Sequence, residues 1–247
     1  MSILLEVIAT SPEDCAAAQA GGADRIELCS AMPLGGLTPS LGLLVEARAA
    51  VRLPIMAMVR PRPGGFAYSE SDFAVMMRDA ELALAHGADG IGFGCLQGDG
   101  QVDINRVSTL MQLAGGKETV FHRAFDVVPD PYAALDALIE LGVSRVLSSG
   151  QKPSALAGAV NLAAYLRHVG GRLQVLPGGG ITVDNVRELL RLTGANQVHA
   201  SLSGSRRDLS TAANPAIHFG AVAMPPEEHV RITDGALVAA MHTVLQG

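Results

Sequence analysis

One eight-residue pattern occurs four times along the chain: "GGADRIEL" from Gly21, "HGADGIGF" from His86, "LGVSRVLS" from Leu141 and "TGANQVHA" from Thr193. Each copy sets a glycine before a small residue, then Asp, Ser or Asn, then a short run of strand character. The glycine suits the position just past a helix C-terminus, where a positive φ is wanted. The polar residue makes the turn and the run that follows reads as a buried strand. The copies recur at roughly 50–65 residues, long enough for two βα units per period.

Four more strand candidates lie between these anchors, at 3–8, 54–60, 118–122 and 173–176, giving eight in all. Helical stretches separate them. Ser11-Pro12, Thr38-Pro39 and Asp130-Pro131 each place a capping side chain before a proline suited to the first helical turn, and Thr182 offers another cap. Eight β-then-α alternations in 247 residues predict a (β/α)8 TIM barrel forming a single domain. A doubly wound open sheet is the second choice, weakened by the even fourfold spacing and by the lack of G-x-G-x-x-G after the first strand. Residues 208–231, with "FGAVAMPPEE", are long for a loop; they predict either an extended arm that contacts a second subunit or a surface excursion.

Charge and composition narrow the function. The formal net charge of −6 argues against nucleic acid as the main partner. The only lysines are Lys117, which precedes its strand, and Lys152, which follows the end of its own, so a Schiff-base aldolase is disfavoured. The three cysteines, Cys15, Cys29 and Cys95, form no C-x-x-C pair and suit a reducing compartment. The opening "MSILLEVIATSPED" has no basic region, and its apolar run is too short for a signal or a membrane span, so the expectation is a cytoplasmic protein.

Chemistry in such a barrel gathers at the C-terminal ends of the strands. Alternation turns Leu5, Val7, Ile26, Leu28, Val198 and Ala200 toward the helices. It turns Glu6, Arg25, Glu27, Cys29, Gln197, His199 and Ser201 into the barrel. Arg60 ends the third strand, and "TVFHRAFD" ends the fifth with His122, Arg123 and Asp126. Glu6, Glu27, Arg60, His122, Arg123, Asp126 and His199 are therefore the candidate catalytic set: carboxylates to take a proton, histidine to relay it, arginine to hold an anion. The bland alternative is a salt-bridged plug in which these groups neutralise one another. "LPGGGIT" adds an anion-binding signal, because Gly178, Gly179 and Gly180 let backbone N–H groups approach a ligand just before a helix start; Ser201 and Ser203 of "SLSGSRR" extend it. Cys29 is a weak metal candidate beside Cys95 and Met56-x-Met58, whose soft sulfur would suit Cu(I), although such residues are also ordinary core. No His or Cys spacing suits zinc, and His86, His168, His218, His229 and His242 read as helix-surface or loop residues.

"GGADRIELC", "GGLTPS", "VRPRPGGFAYS", "GADGIGFG", "FHRAFD", "RVLSSG", "PGGGIT" and "VHAS", in that order, resemble the CutC family of copper homeostasis proteins, over the chain to about Ser205. The resemblance implies a (β/α)8 barrel, a cytosolic dimer or higher homo-oligomer, and copper binding or handling, with no particular reaction. It matches Arg25, Glu27, Arg60, Arg62, His122, Arg123, Asp126 and His199, and the cysteine of "IELC" as Cys29. Some members carry a cysteine directly after the eighth-strand histidine; here that position is Ala200. Two expectations stand side by side: a copper-handling protein, from the resemblance, and an acid–base enzyme for a small anionic or phosphorylated substrate, from the residues themselves.

Overall fold

Eight parallel strands form one sheet: β1 (Leu4–Ala9), β2 (Arg25–Leu28), β3 (Ile55–Met58), β4 (Gly90–Phe93), β5 (Glu118–Phe121), β6 (Arg145–Ser148), β7 (Gln174–Pro177) and β8 (Gln197–Ala200). The computed structural model describes residues 3–214, 216, 217 and 229–247. Neighbours run in chain order, β8 pairs with β1, and a single parallel bridge between Gly178 and His199 draws β7 and β8 together. Seven helices follow β1 to β7 as α1 (Pro12–Ala20), α2 (Leu41–Ala50), α3 (Glu70–Ala85), α4 (Ile104–Ala114), α5 (Pro131–Glu140), α6 (Ala159–Val169) and α7 (Val186–Thr193); α8 (Gly235–Gln246) comes last. The predicted TIM barrel is the fold observed.

The fourfold pattern now has a physical cause. Its glycines, Gly22, Gly87, Gly142 and Gly194, all sit past a helix end with φ between 69° and 107°. The polar residue then reaches across to the start of the preceding odd strand. Asp24 accepts the N–H of Leu5 at 2.8 Å, Asp89 that of Ile55 at 2.9 Å and Ser144 that of Thr119 at 3.2 Å. Each of these three copies thus ends a helix, opens an even strand and ties it to its odd neighbour, satisfying backbone donors that the sheet edge would otherwise leave bare; in the fourth, the backbone carbonyl of Asn196 accepts the Leu4 N–H at 3.0 Å instead.

Period-two alternation fills the barrel in layers drawn from alternate strands. Arg25, Gly90, Arg145 and Gln197 lie at the bottom; Glu6, Met56, Val120 and Leu176 come next; Glu27, Gly92, Leu147 and His199 stand above them. The apolar members Met56, Val120, Leu147 and Leu176 form their own buried cluster, separate from the outer core of strands and helices. Gly90 has no room for a side chain, since a Cβ would stand 2.4 Å from the Met56 Cε.

Two helix starts differ from the sequence expectation. Ser40, not Thr38, caps α2; Thr38 Oγ1 instead accepts the Arg60 N–H at 2.9 Å and ties the β2 and β3 loops together. Thr182 opens a turn whose carbonyl accepts the Val186 N–H, and Asn185 is the residue before α7. The predicted arm begins and ends on an antiparallel ribbon, β9 (Ser203–Arg207) with β10 (His229–Thr233). All of "FGAVAMPPEE", and His218, lie outside the described residues, so the subunit-contact expectation for the arm falls there.

Candidate functional site

β1 carries Glu6 in the second interior layer, and the carboxylate is shared. It accepts a short ion pair from Arg25 Nε and a 2.7 Å hydrogen bond from His199 Nδ1. Arg25 in turn donates to Gln197 Oε1 at 3.2 Å. Burial would raise the Glu6 pKa, but the charge of Arg25 and the His199 contact hold it down at about 2. His199 Nε2 faces Glu27 Oε2 at 3.7 Å. Burial alone would make His199 less basic; the Glu27 and Glu6 carboxylates outweigh it and raise its pKa. Glu27 moves upward too, mainly because it is desolvated and then because Glu6 lies near. The protonation of Glu27 and of His199 is therefore coupled, with Glu6 orienting the imidazole from behind.

This pair forms part of the wall of a cup at the C-terminal ends of the strands, with a cavity volume of about 390 Å³. Arg60, His122, Arg123, Gly179, Gly180 and Ser201 line the same cup. Arg60 lies two residues beyond β3. Its terminal nitrogens donate to the carbonyls of Leu34, Gly36 and Gly64, all at 3.0 Å, and its charge stands 5.3 Å from the Phe66 ring centroid. Its Nε has no partner, and no carboxylate pairs with it among the described residues.

The stretch "TVFHRAFD" is a strand that turns at once into a 3-10 helix, Arg123–Val127. His122 caps that turn: its Nδ1 accepts the Ala124 N–H at 3.1 Å. An accepting Nδ1 carries no proton, so the neutral ring has its hydrogen on Nε2. That nitrogen is buried and has no protein partner among the described residues. Burial, with the nearby charge of Arg60, pushes the His122 pKa down to about 3. His122 is a neutral donor held in reserve. Gly94 makes room for it, because a Cβ there would lie 2.5 Å from the His122 Cε1 and 2.7 Å from the Ala124 Cβ. Gly94→Ala is expected to destabilise the fold by about 1–3 kcal/mol, the usual range for overpacking, read by urea denaturation.

Asp126 does not join the cup, contrary to the expected convergence. Its carboxylate accepts from Ser148 Oγ at 2.6 Å, the Ser149 N–H at 3.0 Å and the Gln151 N–H at 3.2 Å, and pairs with Arg123 Nε at 2.7 Å. It acts as a bracket that fixes Arg123, whose Nη2 also donates to Ser149 Oγ at 2.9 Å. Arg62 is likewise outside: it binds Asp72 and the carbonyls of Pro63, Gly65 and Ala67, stiffening the loop after β3. Of the anion candidates, Gly179 and Gly180 have φ of 108° and 69°, and their N–H groups have no protein acceptor among the described residues. Gly179 lies against Arg123, whose guanidinium carbon would be 3.4 Å from an added Cβ. Gly178 instead bridges to His199, and Ser203 sits exposed on β9, away from the cup. The helix start expected directly after the glycines is delayed to α7, so the loop's own amides are the anion donors.

Cys29 is buried beside the cup, with its Sγ 3.2 Å from Met32 Sδ and Ile8 and Met58 around it. Burial drives its thiol pKa far above the ordinary value. Cys95 belongs to the outer core and does not meet it. Met32, Gly35, Gly36 and Phe66 line the cup from loops that strand alternation does not reach. The signal for them was the glycine pairs in "PLGGL" and "RPGGF", which mark backbone passing close to something.

The model of the CutC family matches residues 3–204. The chain belongs to the CutC family. A "family protein CutC" of Treponema denticola is 47% identical over 231 residues, covering 94% of each chain. The human "Copper homeostasis protein cutC homolog" is 40% identical over 241 residues, covering 98% of this chain and 88% of its own. The crystal structure of a CutC protein from Streptococcus agalactiae superposes with a TM-score of 0.77 at 29% identity, over 80% of this chain and 97% of that one. Thiamine phosphate pyrophosphorylase from Pyrococcus furiosus, at 15% identity and a TM-score of 0.59, shares the barrel fold. In this CutC chain no helix among the described residues is long and apolar enough to cross a membrane.

Proposed function

We propose that the cup is the active site of an enzyme that moves a proton on a small anionic substrate, with phosphate as the best-matched anion. The observation that carries this reading is His122, a neutral imidazole with an unused Nε2–H, in the same cup as Glu27. A carbonyl oxygen accepting from His122 would be polarised without taking a full proton. Glu27 would remove the proton from the adjacent carbon, with the electron pair of the broken C–H bond moving to the carbonyl oxygen. His199 keeps a proton of its own, which leaves Glu27 free to act as the base. Gly179 and Gly180 N–H groups and Arg123 suit the anionic end, and Arg60 adds positive potential near the developing oxyanion.

A second reading is favoured by one contact, that of Cys29 with Met32. Thiolate and thioether donors suit Cu(I), and the relatives' names speak of copper homeostasis. The donor types fit, but a copper ion would have to displace a thiol proton that burial holds tightly, beside the positive charge of Arg231. A cytoplasmic setting and assembly as a homo-oligomer belong to the same proposal.

Thermal unfolding with Cu(I), inorganic phosphate and a panel of phosphorylated compounds separates the readings. A phosphate-bearing ligand at a hundredfold excess over Kd should add about 2.7 kcal/mol of stability. Arg123→Ala should abolish that gain and Cys29→Ser should leave it. Stabilisation by Cu(I) alone, lost in Cys29→Ser, would replace the enzyme reading with the copper one.

A further inference from the structure

The mouth of the barrel has two unlike halves, and strand alternation sets them. Above the layer of Glu27 and His199, the next inward positions are Ile8 on β1, Met58 on β3, His122 after β5 and Gly178 after β7. The layer above those is Cys29, Gly94, Ser149 and Ser201. Strands β1 to β3 thus contribute Ile8, Cys29 and Met58, whereas β5 to β8 contribute His122, Ser149, Gly178 and Ser201. The first three form a buried apolar cluster of their own, apart from the outer core, with Met32 packed against it. Ile8, Met32 and Met58 line the cup, and Phe66 of the β3 loop continues this wall. Gly36, with φ of 81°, brings the loop after β2 onto the same sulfur atoms: a Cβ there would stand 3.6 Å from Cys29 Sγ and 3.8 Å from Met32 Sδ.

In the strand ring β3 lies opposite β7 and β1 opposite β5. Met58 therefore stands across the mouth from the Gly179 and Gly180 loop, and Ile8 across from His122 and Arg123. The anion donors and the apolar wall occupy opposite sides. Arg60, the cation on the apolar side, engages its terminal nitrogens with the carbonyls of Leu34, Gly36 and Gly64. Met32 and Phe66 are only half-buried, so apolar surface is left facing the cup. Such surface is covered favourably by an apolar group, whereas a hydroxyl placed there would find no partner. We propose that Ile8, Met32, Met58 and Phe66 form a subsite for an apolar group, so that the ligand of this cup is a small molecule with phosphate at one end and an apolar group at the other. Thioether side chains adapt their shape to such an occupant. The inference rests on the proton-transfer reading above and narrows its substrate class, because it disfavours phosphates that are hydroxylated along their whole length. The carbon that loses its proton would lie between the two ends.

Isothermal titration of the full chain with inorganic phosphate and with methyl, ethyl, propyl, butyl and phenyl phosphate tests this. Each added methylene should tighten Kd by about three- to fourfold, the gain from burying one CH2. Glycerol phosphate, as long as propyl phosphate but hydroxylated, should bind about tenfold more weakly than it. Phenyl phosphate tighter than butyl phosphate makes the occupant a ring, and the reverse makes it a chain; both orders support the subsite. Met32→Gln, a change of similar shape at a half-buried loop position, should cut the gain to under about twofold per methylene. It should leave inorganic phosphate within about twofold, because the anion donors lie on the far side. Leu34→Gln, exposed on the same loop and outside the cup, should keep the native series. A flat series in the native protein, or a steep one unchanged by Met32→Gln, overturns this inference and leaves the proton-transfer reading standing. Glycerol phosphate binding as tightly as propyl phosphate does the same. A steep series in which Arg123→Ala weakens no member overturns that reading's anion site and leaves the apolar subsite in place. No binding of any of these compounds by the native protein overturns both.

Discussion

Glu6→Ala is expected to lower the unfolding free energy by about 3–5 kcal/mol, the cost of removing one partner from a buried ion pair. The reason is what it leaves behind. Arg25 loses its carboxylate and keeps only Gln197, and His199 loses the acceptor for its Nδ1 hydrogen. Neither can turn to water, since both side chains are nearly fully covered. Arg145 lies in the same bottom layer, and burial, then the charge of Arg25, already disfavours its protonated form. Without Glu6 the two guanidinium groups face each other with less to offset them. Urea denaturation at pH 7 should show the midpoint falling with the slope unchanged; a loss under about 1 kcal/mol would mean that the Glu6 network is wet and weak.

The same measurement on Glu27→Gln separates a working site from a salt-bridged plug. Among the described residues Glu27 has no arginine partner, and its nearest ionic contact is His199 Nε2 at 3.7 Å. Burial opposes its charged form. A neutral amide of the same shape should therefore leave stability within about 1 kcal/mol or raise it, the sign expected where a strained group serves chemistry. If Glu27→Gln were as damaging as Glu6→Ala, all these groups would be structural and the proton-transfer reading would lose its base.

Much of this arrangement was legible before the fold was known, and the reason is periodicity. Glu6, Glu27 and His199 lie within strands, where every second residue must face inward, so a strand assignment is already an assignment of faces. Legibility stopped where the strands stopped. Asp126 and Arg62 are charged residues close after strand ends and looked equivalent to Arg123 and Arg60; which way each turns depends on loop carbonyls and hydroxyls such as those of Ser148, Ser149 and Gly65. The lower plug of Arg145 with Glu118 and Gln174 was missed because each reads as an ordinary polar residue at the N-terminal end of a strand.

His122 should make the fold acid-sensitive in a window where few buried groups titrate. An unfolded histidine has a pKa of about 6.5, and folded His122 lies near 3. Above pH 6.5 the ring is neutral in both states and contributes no pH dependence. As pH falls below 6.5 the unfolded chain takes up a proton that the folded one refuses, so stability drops by about 1.4 kcal/mol per pH unit until the folded pKa is reached. Glu6 adds its own loss only below the ordinary carboxylate value of 4.5, as pH falls toward 2. His199, with its pKa raised, gives its full stabilisation below 6.5 and loses it only as pH rises through its folded value. Glu27 is the confounder: with its pKa raised, its contribution is full below 4.5 and declines as pH rises, which opposes the His122 slope. The comparison therefore belongs in a Glu27→Gln background. There, stability should fall by about 2 kcal/mol between pH 6.5 and 4.5, and adding His122→Asn, which keeps an acceptor for the Ala124 N–H, should remove that excess fall. Parallel curves for the two variants would mean that His122 takes a proton as readily folded as unfolded. A cationic ring would protonate a bound carbonyl or repel Arg60 instead of acting as a neutral donor, and the chemistry assigned to the cup would have to be rebuilt without it.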